Sequence, residues 1–287
     1  MHGGKKAERE RDTRWLSRDL AELALEWRLD KVDEEREAVD DVDVLIIGSG
    51  YGGAAALSVL AGCTRAGQAL KIAMLERGTE YLPGMFPTRM SDLGGHVRFH
   101  LRGQDAARGR MDGLFDLRAG PDVSCLLGNG LGGGSLINAG VMEAPLADVF
   151  KDPRWPKEIR DDDTLLSQAD EVQRLLEAGA FQANAQRVAV MAAIAGKSPV
   201  RAAKVTVATG DAPERGITQC NSCGDCTVGC NHGAKLSLDV TLLADACRRH
   251  PAEALRIVTG ATVLSLEKRP DGGYVACTWS PGEKATE

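Results

Sequence analysis

What the chain lacks narrows its function first. No apolar run approaches the roughly 18 residues that a membrane-crossing helix needs, so no transmembrane segment is expected. Basic charge is not in excess: the formal net charge is −6, which excludes the cationic face a nucleic-acid partner would require. Residues 1–12 are charged and have no apolar core of the signal-peptide kind, which points to a cytoplasmic protein. No internal repeat or low-complexity tract interrupts the chain.

What is present is an ordinary globular balance, 43% hydrophobic and 26% charged over 287 residues, long enough for one large domain or two modest ones. Glycine is the excess. Its 33 residues cluster, which implies tight turns and close backbone approach to a ligand. Within the charge-rich residues 1–40, Leu16, Leu20, Leu23 and Trp27 form one apolar stripe and predict a helix packed on the main body. The text changes at Val42. Residues 42–47 predict a buried strand, 54–66 a helix of small apolar residues and 70–75 a second strand, together a βαβ unit. Residues 79–120 read as irregular with short helices. Helices are predicted over 163–178, 183–195 and 238–249. Residues 255–267 are extended with a break at Gly260, and Asp271-Gly272-Gly273 turns into a strand over 274–279.

Gly48-Ser49-Gly50-Tyr51-Gly52-Gly53 fits G-x-G-x-x-G directly after a predicted strand and at the start of a predicted helix, the context that makes this pattern a dinucleotide fingerprint. Gly48 permits the sharp turn, Gly50 lets backbone approach a pyrophosphate, and Gly53 lets helix and strand pack closely. The helix N-terminus offers unpaired N–H groups to phosphate. Glu76 ends the second strand, where an acid accepts hydrogen bonds from ribose hydroxyls and repels a 2′-phosphate. The pattern alone does not separate FAD from NAD. Residues 128–141 then place five glycines in seven positions around Gly132 and Gly133, a poor core and a good bed for a flat ligand.

With VLIIGSGYGGAAAL, AMLERG, GNGLGGGSLINAGV and NHGAKLSLD in this order, the chain resembles the glucose–methanol–choline (GMC) oxidoreductases over about residues 42–279, nearest to their cholesterol-oxidase-like bacterial branch. The resemblance implies an α/β fold, a Rossmann-type FAD-binding domain with an interleaved and here partial substrate domain. It implies FAD, with Gly132, Gly133 and Ser135 bordering the diphosphate, Asn138 and Gly140 against the flavin ring, and Val263 meeting the adenine through its backbone. It also implies oxidation of a CH–OH donor (an alcohol, sugar or sterol), with hydride passing to flavin N5 and a histidine taking the hydroxyl proton. In the family that histidine, and a second His or Asn beside it, lie in the C-terminal half. None of the five histidines here, at 2, 96, 100, 232 and 250, sits in such a motif. The chain is therefore expected to be a truncated, N-terminal portion, inactive alone, and no catalytic base is assigned. His96 and His100, four apart, have the spacing of a shared helix face, but solvated side chains are the expectation. The division expected is a charged helical extension over 1–40, the first part of the FAD domain over 41–150, a helical and cysteine-rich substrate or cap segment over 151–235, and the returning, incomplete FAD domain over 236–287.

Cys220, Cys223, Cys226 and Cys230 have the intervals of bacterial ferredoxin ligands. Asn231 follows where ferredoxins have proline, and there is no second run. The readings are a three-iron cluster on three cysteines, a four-iron cluster with Cys230 or a distant cysteine as fourth ligand, zinc as a weaker fit, or a metal-free loop. FAD-dependent sugar dehydrogenases of the same family carry an iron–sulfur cluster in a comparable insertion. A cluster here would pass electrons singly to an outside acceptor. Cys63, Cys125, Cys247 and Cys277 read as small core residues. The alternatives to the oxidoreductase are an iron–sulfur or zinc binding module on a catalytically inactive flavin scaffold, and NAD-dependent hydride transfer on a generic Rossmann domain.

Overall fold

The computed structural model describes residues 15–23, 42–101, 107–180, 185–194, 203–270 and 272–279. Its organising element is a parallel sheet of four strands in the order Arg18–Asp19, Leu255–Thr259, Ile72–Leu75, Val44–Ile47. The two aliphatic strands of the expected βαβ unit pair in register from Val44↔Ile72 to Ile47↔Leu75. Parallel neighbours need a crossover, and the helix Tyr51–Leu60 supplies it, burying Ala54 and Leu57 against the sheet. The strand Leu255–Thr259 returns from far along the chain to pair with Ile72–Leu75 on its other side. The core collects Ile46, Leu57, Ile72, Met74, Ile257 and, from a distant helical segment, Leu238 and Leu243.

The helix is shorter than its composition predicts. It stops at Leu60, and Thr64–Arg65 pairs antiparallel with Gln68–Ala69. Ala66 and Gly67 between them both have positive φ, as a two-residue hairpin turn of the type I′ kind requires. The N-terminal stripe is met in part. Leu20 and Leu23 lie in helix, whereas Leu16 lies in the chain leading into the strand Arg18–Asp19, and Trp27 falls outside the described residues. Glu80 docks this segment, accepting the Leu16 and Ser17 N–H groups and the Ser17 hydroxyl. Burial pushes the Glu80 carboxyl above its usual range, and those donors pull it back.

Residues 79–120, expected to be irregular, contribute to a second sheet in the order Arg108–Gly109, Val97–His100, Phe115–Ala119, Ser124–Gly128. Asp116, fully buried, joins this sheet to the first. Its Oδ2 accepts from Arg77, 2.7 Å away and just past the strand Ile72–Leu75, and from Arg118 at 3.1 Å. His100 Nε2 is 3.8 Å from Asp116 Oδ1, and His96 closes a 3₁₀ turn, so the two histidines share no helix face and neither is fully solvated. Helices cover Lys157–Arg160, Leu165–Leu175 and Ala185–Ile194, and a π-helical stretch Asp239–Leu243 runs into Ala244–Arg249. The break at Gly260 and the strand Tyr274–Trp279, antiparallel to Thr262–Lys268, are as predicted. Cys63 and Cys125 are exposed instead of buried, Cys247 is half-buried, and the Cys277 side chain lies outside the described residues. Among the described residues no helix is long and apolar enough to cross a membrane.

Leu57 is fully buried and Val59, on the same helix, is 76% exposed. In urea titrations of the natural full-length protein, Leu57→Ala should cost about 2–5 kcal/mol, whereas Val59→Ala should cost less than about 0.5 kcal/mol. Equal losses would show that the helix packs by another face.

Candidate functional site

A cleft of about 630 Å³ opens at the carboxyl ends of the parallel strands, the position at which open α/β sheets hold ligands. Gly48, Gly50 and Glu76 line it from the first sheet, Gly133, Gly134 and Asn138 from the second glycine loop, and Val263 from the returning chain. Of the remaining residues singled out in the sequence, Gly53, Gly132, Ser135 and Gly140 stand behind the lining and hold it in place. A Cβ on Gly53 would sit 1.9 Å from the Gly48 carbonyl oxygen, so only glycine lets the helix approach the turn. Ser135 Oγ donates to Gly132 O and accepts Leu238 N–H. Gly140 N–H donates to Asn138 Oδ1, whose amide donates to the Tyr51 hydroxyl 2.8 Å away.

The two glycine loops touch. A Cβ on Gly133, whose φ is +56°, would lie 2.8 Å from Gly50 Cα. Ser49, fully buried between them, is the joint. Its hydroxyl donates to Glu76 Oε2 at 2.6 Å and accepts the Gly132 N–H at 3.0 Å. Glu76 Oε2 also accepts the Ser49 N–H, and Oε1 accepts the Gly78 N–H at 2.8 Å. Glu76 thus lines the cleft while already bracing the first loop. Ser49 occupies a variable position of the G-x-G-x-x-G motif, so the motif alone assigns it no role, although a small polar residue beside that turn is a readable signal.

Several features suit an elongated phosphate-bearing ligand such as FAD. The helix Tyr51–Leu60 begins with no side-chain cap and no acidic residue in its first turn, which leaves its leading N–H groups and partial positive charge to an anion. A Cβ on Gly50 or Gly134 would meet nothing within 4 Å, so both glycines border open space. Thr262 Oγ1, on the cleft wall, is buried and without a hydrogen-bond partner, an orphan that a ligand hydroxyl or ring nitrogen would satisfy. Thr262 and Arg77 line the cleft beside Val263 and Glu76, their neighbours in the chain, but no motif assigns the two side chains a role.

The cysteines line a second cavity of about 370 Å³, where Cys220, Cys223, Cys226 and Cys230 meet His232 and Lys235. Among the described residues no three His, Cys, Asp or Glu side chains are gathered so as to hold a metal ion. Cys220 Sγ accepts the Ser222 N–H and Cys230 Sγ the Ala234 N–H. Burial pushes the Cys226 thiol up against the pull of Lys235. The four thiols thus share one cavity, and Cys220, Cys223 and Cys230 each act on Cys226, without being gathered into a ligand set. Asn231, which departs from the ferredoxin pattern, has a structural reason: it accepts the Gly84 and Phe86 N–H groups and donates to Phe86 O, pinning the loop's end to that turn.

Asp239 lies behind the second loop, where a Cβ on Gly132 would be 3.5 Å from its Oδ1, an oxygen with no partner. Burial raises its carboxyl from 3.8 to about 6, against a hydrogen bond from Ser237. Because the folded state keeps that proton to a higher pH than the unfolded chain, stability should fall as pH rises from about 4 to about 6. Asp239→Asn should remove this component, so the variant's urea midpoint should gain on the parent's as pH rises through that interval. Parallel pH profiles would contradict the assignment.

A sequence profile described as GMC oxidoreductase matches residues 42–277. A cholesterol oxidase of Acinetobacter baumannii is 24% identical over 262 residues, 83% of this chain and 44% of that protein. A cholesterol oxidase of Mycobacterium tuberculosis (strain H37Rv) is 28% identical over 256 residues, 81% of this chain and 41% of that protein. Among solved structures, one from a study titled "Structural insights on a new fungal aryl-alcohol oxidase" aligns with a TM-score of 0.41 at 14% identity, over 84% of this chain and 43% of that one. The chain thus spans about two-fifths of the length of the curated relatives it matches. On the match over residues 42–277, the chain belongs to the GMC oxidoreductase family.

Proposed function

We propose that the protein is an FAD-dependent oxidoreductase acting on the CH–OH group of an alcohol, and that this chain supplies the cleft for the dinucleotide. The observation that carries the reading is the contact of the two glycine loops through Ser49 at the mouth of an uncapped helix. In this reading the first-turn N–H groups and the backbone at Gly50 and Gly133 receive the diphosphate, since no side chain there keeps the phosphates away. Thr262 and the backbone at Val263 serve the adenosine end. Glu76 holds the first loop in shape with three accepted hydrogen bonds and keeps one lone pair for a ribose hydroxyl, a carboxylate having about four acceptor sites. Ile137 and Asn138 form the wall at the other end, where the ring system would lie. FAD bound there supplies the two-electron acceptor for the alcohol carbon. Similarity to two cholesterol oxidases favours a sterol as donor.

The described thiols of the cysteine loop do not form a ligand set, so as arranged they do not fit an iron–sulfur centre.

The natural full-length protein should purify yellow, release FAD on denaturation and bleach anaerobically when a suitable alcohol is added. Cholesterol, an aryl alcohol and glucose distinguish the donor classes. Gly50→Val gives the sharper test. Gly50 has φ −65°, ordinary for any residue, and open space beyond its Cα, so the variant should fold normally while its side chain stands in the cleft. Its FAD affinity should fall by at least about tenfold, or about 1.4 kcal/mol. Stoichiometric FAD in a well-folded Gly50→Val protein would remove the first loop from the site.

A further inference from the structure

Among the described residues Lys235 is the buried lysine; it lines the cysteine cavity and reaches the second glycine loop. It is 5% exposed, and its ammonium spends its protons on three backbone carbonyls: Leu136 O at 2.9 Å, Asn138 O at 2.6 Å and Cys226 O at 2.8 Å. An ammonium has three donors, so the set is complete. Two of those carbonyls flank Ile137 in the loop whose Ile137 and Asn138 line the glycine-loop cleft, while Ala139 on the same loop lines the cysteine cavity. The backbone on either side of Lys235 is fixed as well: Ala208 N–H donates to Ala234 O, Leu236 N–H to Thr206 O, and Thr206 N–H to Gly140 O. Residues 204–208 therefore stitch the lysine's own segment to the far end of the loop it grips. A buried ammonium carries a desolvation cost that a neutral donor would avoid. Here that cost goes with a positive charge fixed behind one wall of the cleft.

We propose that Lys235 is a positioning residue for the cofactor end of the cleft: it clamps the Leu136–Asn138 loop and sets a positive charge behind it, which makes a bound flavin easier to reduce. This rests on the FAD reading above. The charge acts because reduction adds negative charge to the ring system, and a cation held in a low-dielectric wall favours the state with more negative charge. The clamp acts because Asn138, tied to Tyr51 on one side and to Lys235 through its carbonyl on the other, is then fixed in one geometry.

The test compares the natural full-length protein with Lys235→Met, Lys235→Gln and Lys235→Arg, each loaded with FAD, by equilibration with a reference dye of known potential. FAD content and urea midpoint are recorded first. At a fixed dye potential the ratio of reduced to oxidised flavin should fall about tenfold in Lys235→Met, about 30 mV for a two-electron couple. Lys235→Gln, which keeps two N–H donors without the charge, should show the same fall, and it serves if the Met variant does not fold. Lys235→Arg should recover most of the loss. A colourless parent protein would overturn the FAD reading and this inference with it. A yellow parent whose Met or Gln variant keeps the parent's potential would overturn the inference alone, as would a shift that Lys235→Arg shares in full.

Discussion

The cleft depends on a buried carboxylate that has to be satisfied. Glu76 is 7% exposed at the end of the strand Ile72–Leu75, and leaving its oxygens unpaired there would cost several kcal/mol. Ser49 and Gly78 supply the donors, and in doing so bend the first glycine loop around the acid. Because the Ser49 hydroxyl has an acceptor lone pair left, it takes the Gly132 N–H and keys the second loop to the first. One hydroxyl thereby fixes the spacing of two loops that are more than eighty residues apart in sequence. Gly133 has to be glycine because that spacing leaves no room for a Cβ, and Gly53 because its helix lies against the Gly48 carbonyl of the first loop.

Charge around the cleft is arranged in layers. Nearest the opening are backbone N–H groups and glycine surfaces, which offer partial positive charge without bulk. Behind them stand ionisable groups whose burial works against their charge. Asp239 keeps its proton to about pH 6, and the Lys235 ammonium is pushed down to about 8. Further out, Asp116 gathers Arg77 and Arg118 and so anchors the first sheet to the second. Lys235 and Asp116 thus each hold a joint between segments, and the lining itself is nearly free of charge, apart from Glu76 and Arg77.

The first half of the cleft was legible because its signals are local. A run of β-branched residues, a glycine turn, small residues at helical spacing and a second apolar run follow one another within 35 residues, and each element meets its neighbour in the fold. The strands Leu255–Thr259 and Tyr274–Trp279 were legible for the same reason, from Gly260 and the Gly272-Gly273 turn. The second sheet was not, although its strands all fall within residues 97–128, because Val-Arg-Phe-His and Phe-Asp-Leu-Arg-Ala mix charge into short strands, and Asp116 and its arginines show their purpose only once paired. The second glycine loop was readable as a ligand bed through family resemblance, but its supports, Ser49 and Lys235, act through backbone groups that leave no residue pattern. The cysteine spacing pointed to a cluster, and the fold brings the four thiols to one cavity without gathering them into a ligand set. Spacing along a loop fixes which thiols can meet, and the anchors at Phe86, Asn231 and Lys235 fix where the loop goes.

The central claim is that both glycine loops and the turn into Thr262–Lys268 close on one ligand. Amide hydrogen exchange on the cofactor-free natural protein, with and without FAD, addresses it directly, since backbone groups that receive the ligand lose their access to solvent exchange. The account predicts that protection rises together in peptides covering 48–53, 132–138 and 260–263, and little elsewhere in the described chain. Protection confined to the first loop, or appearing around the cysteine cavity with 132–138 unchanged, would contradict it.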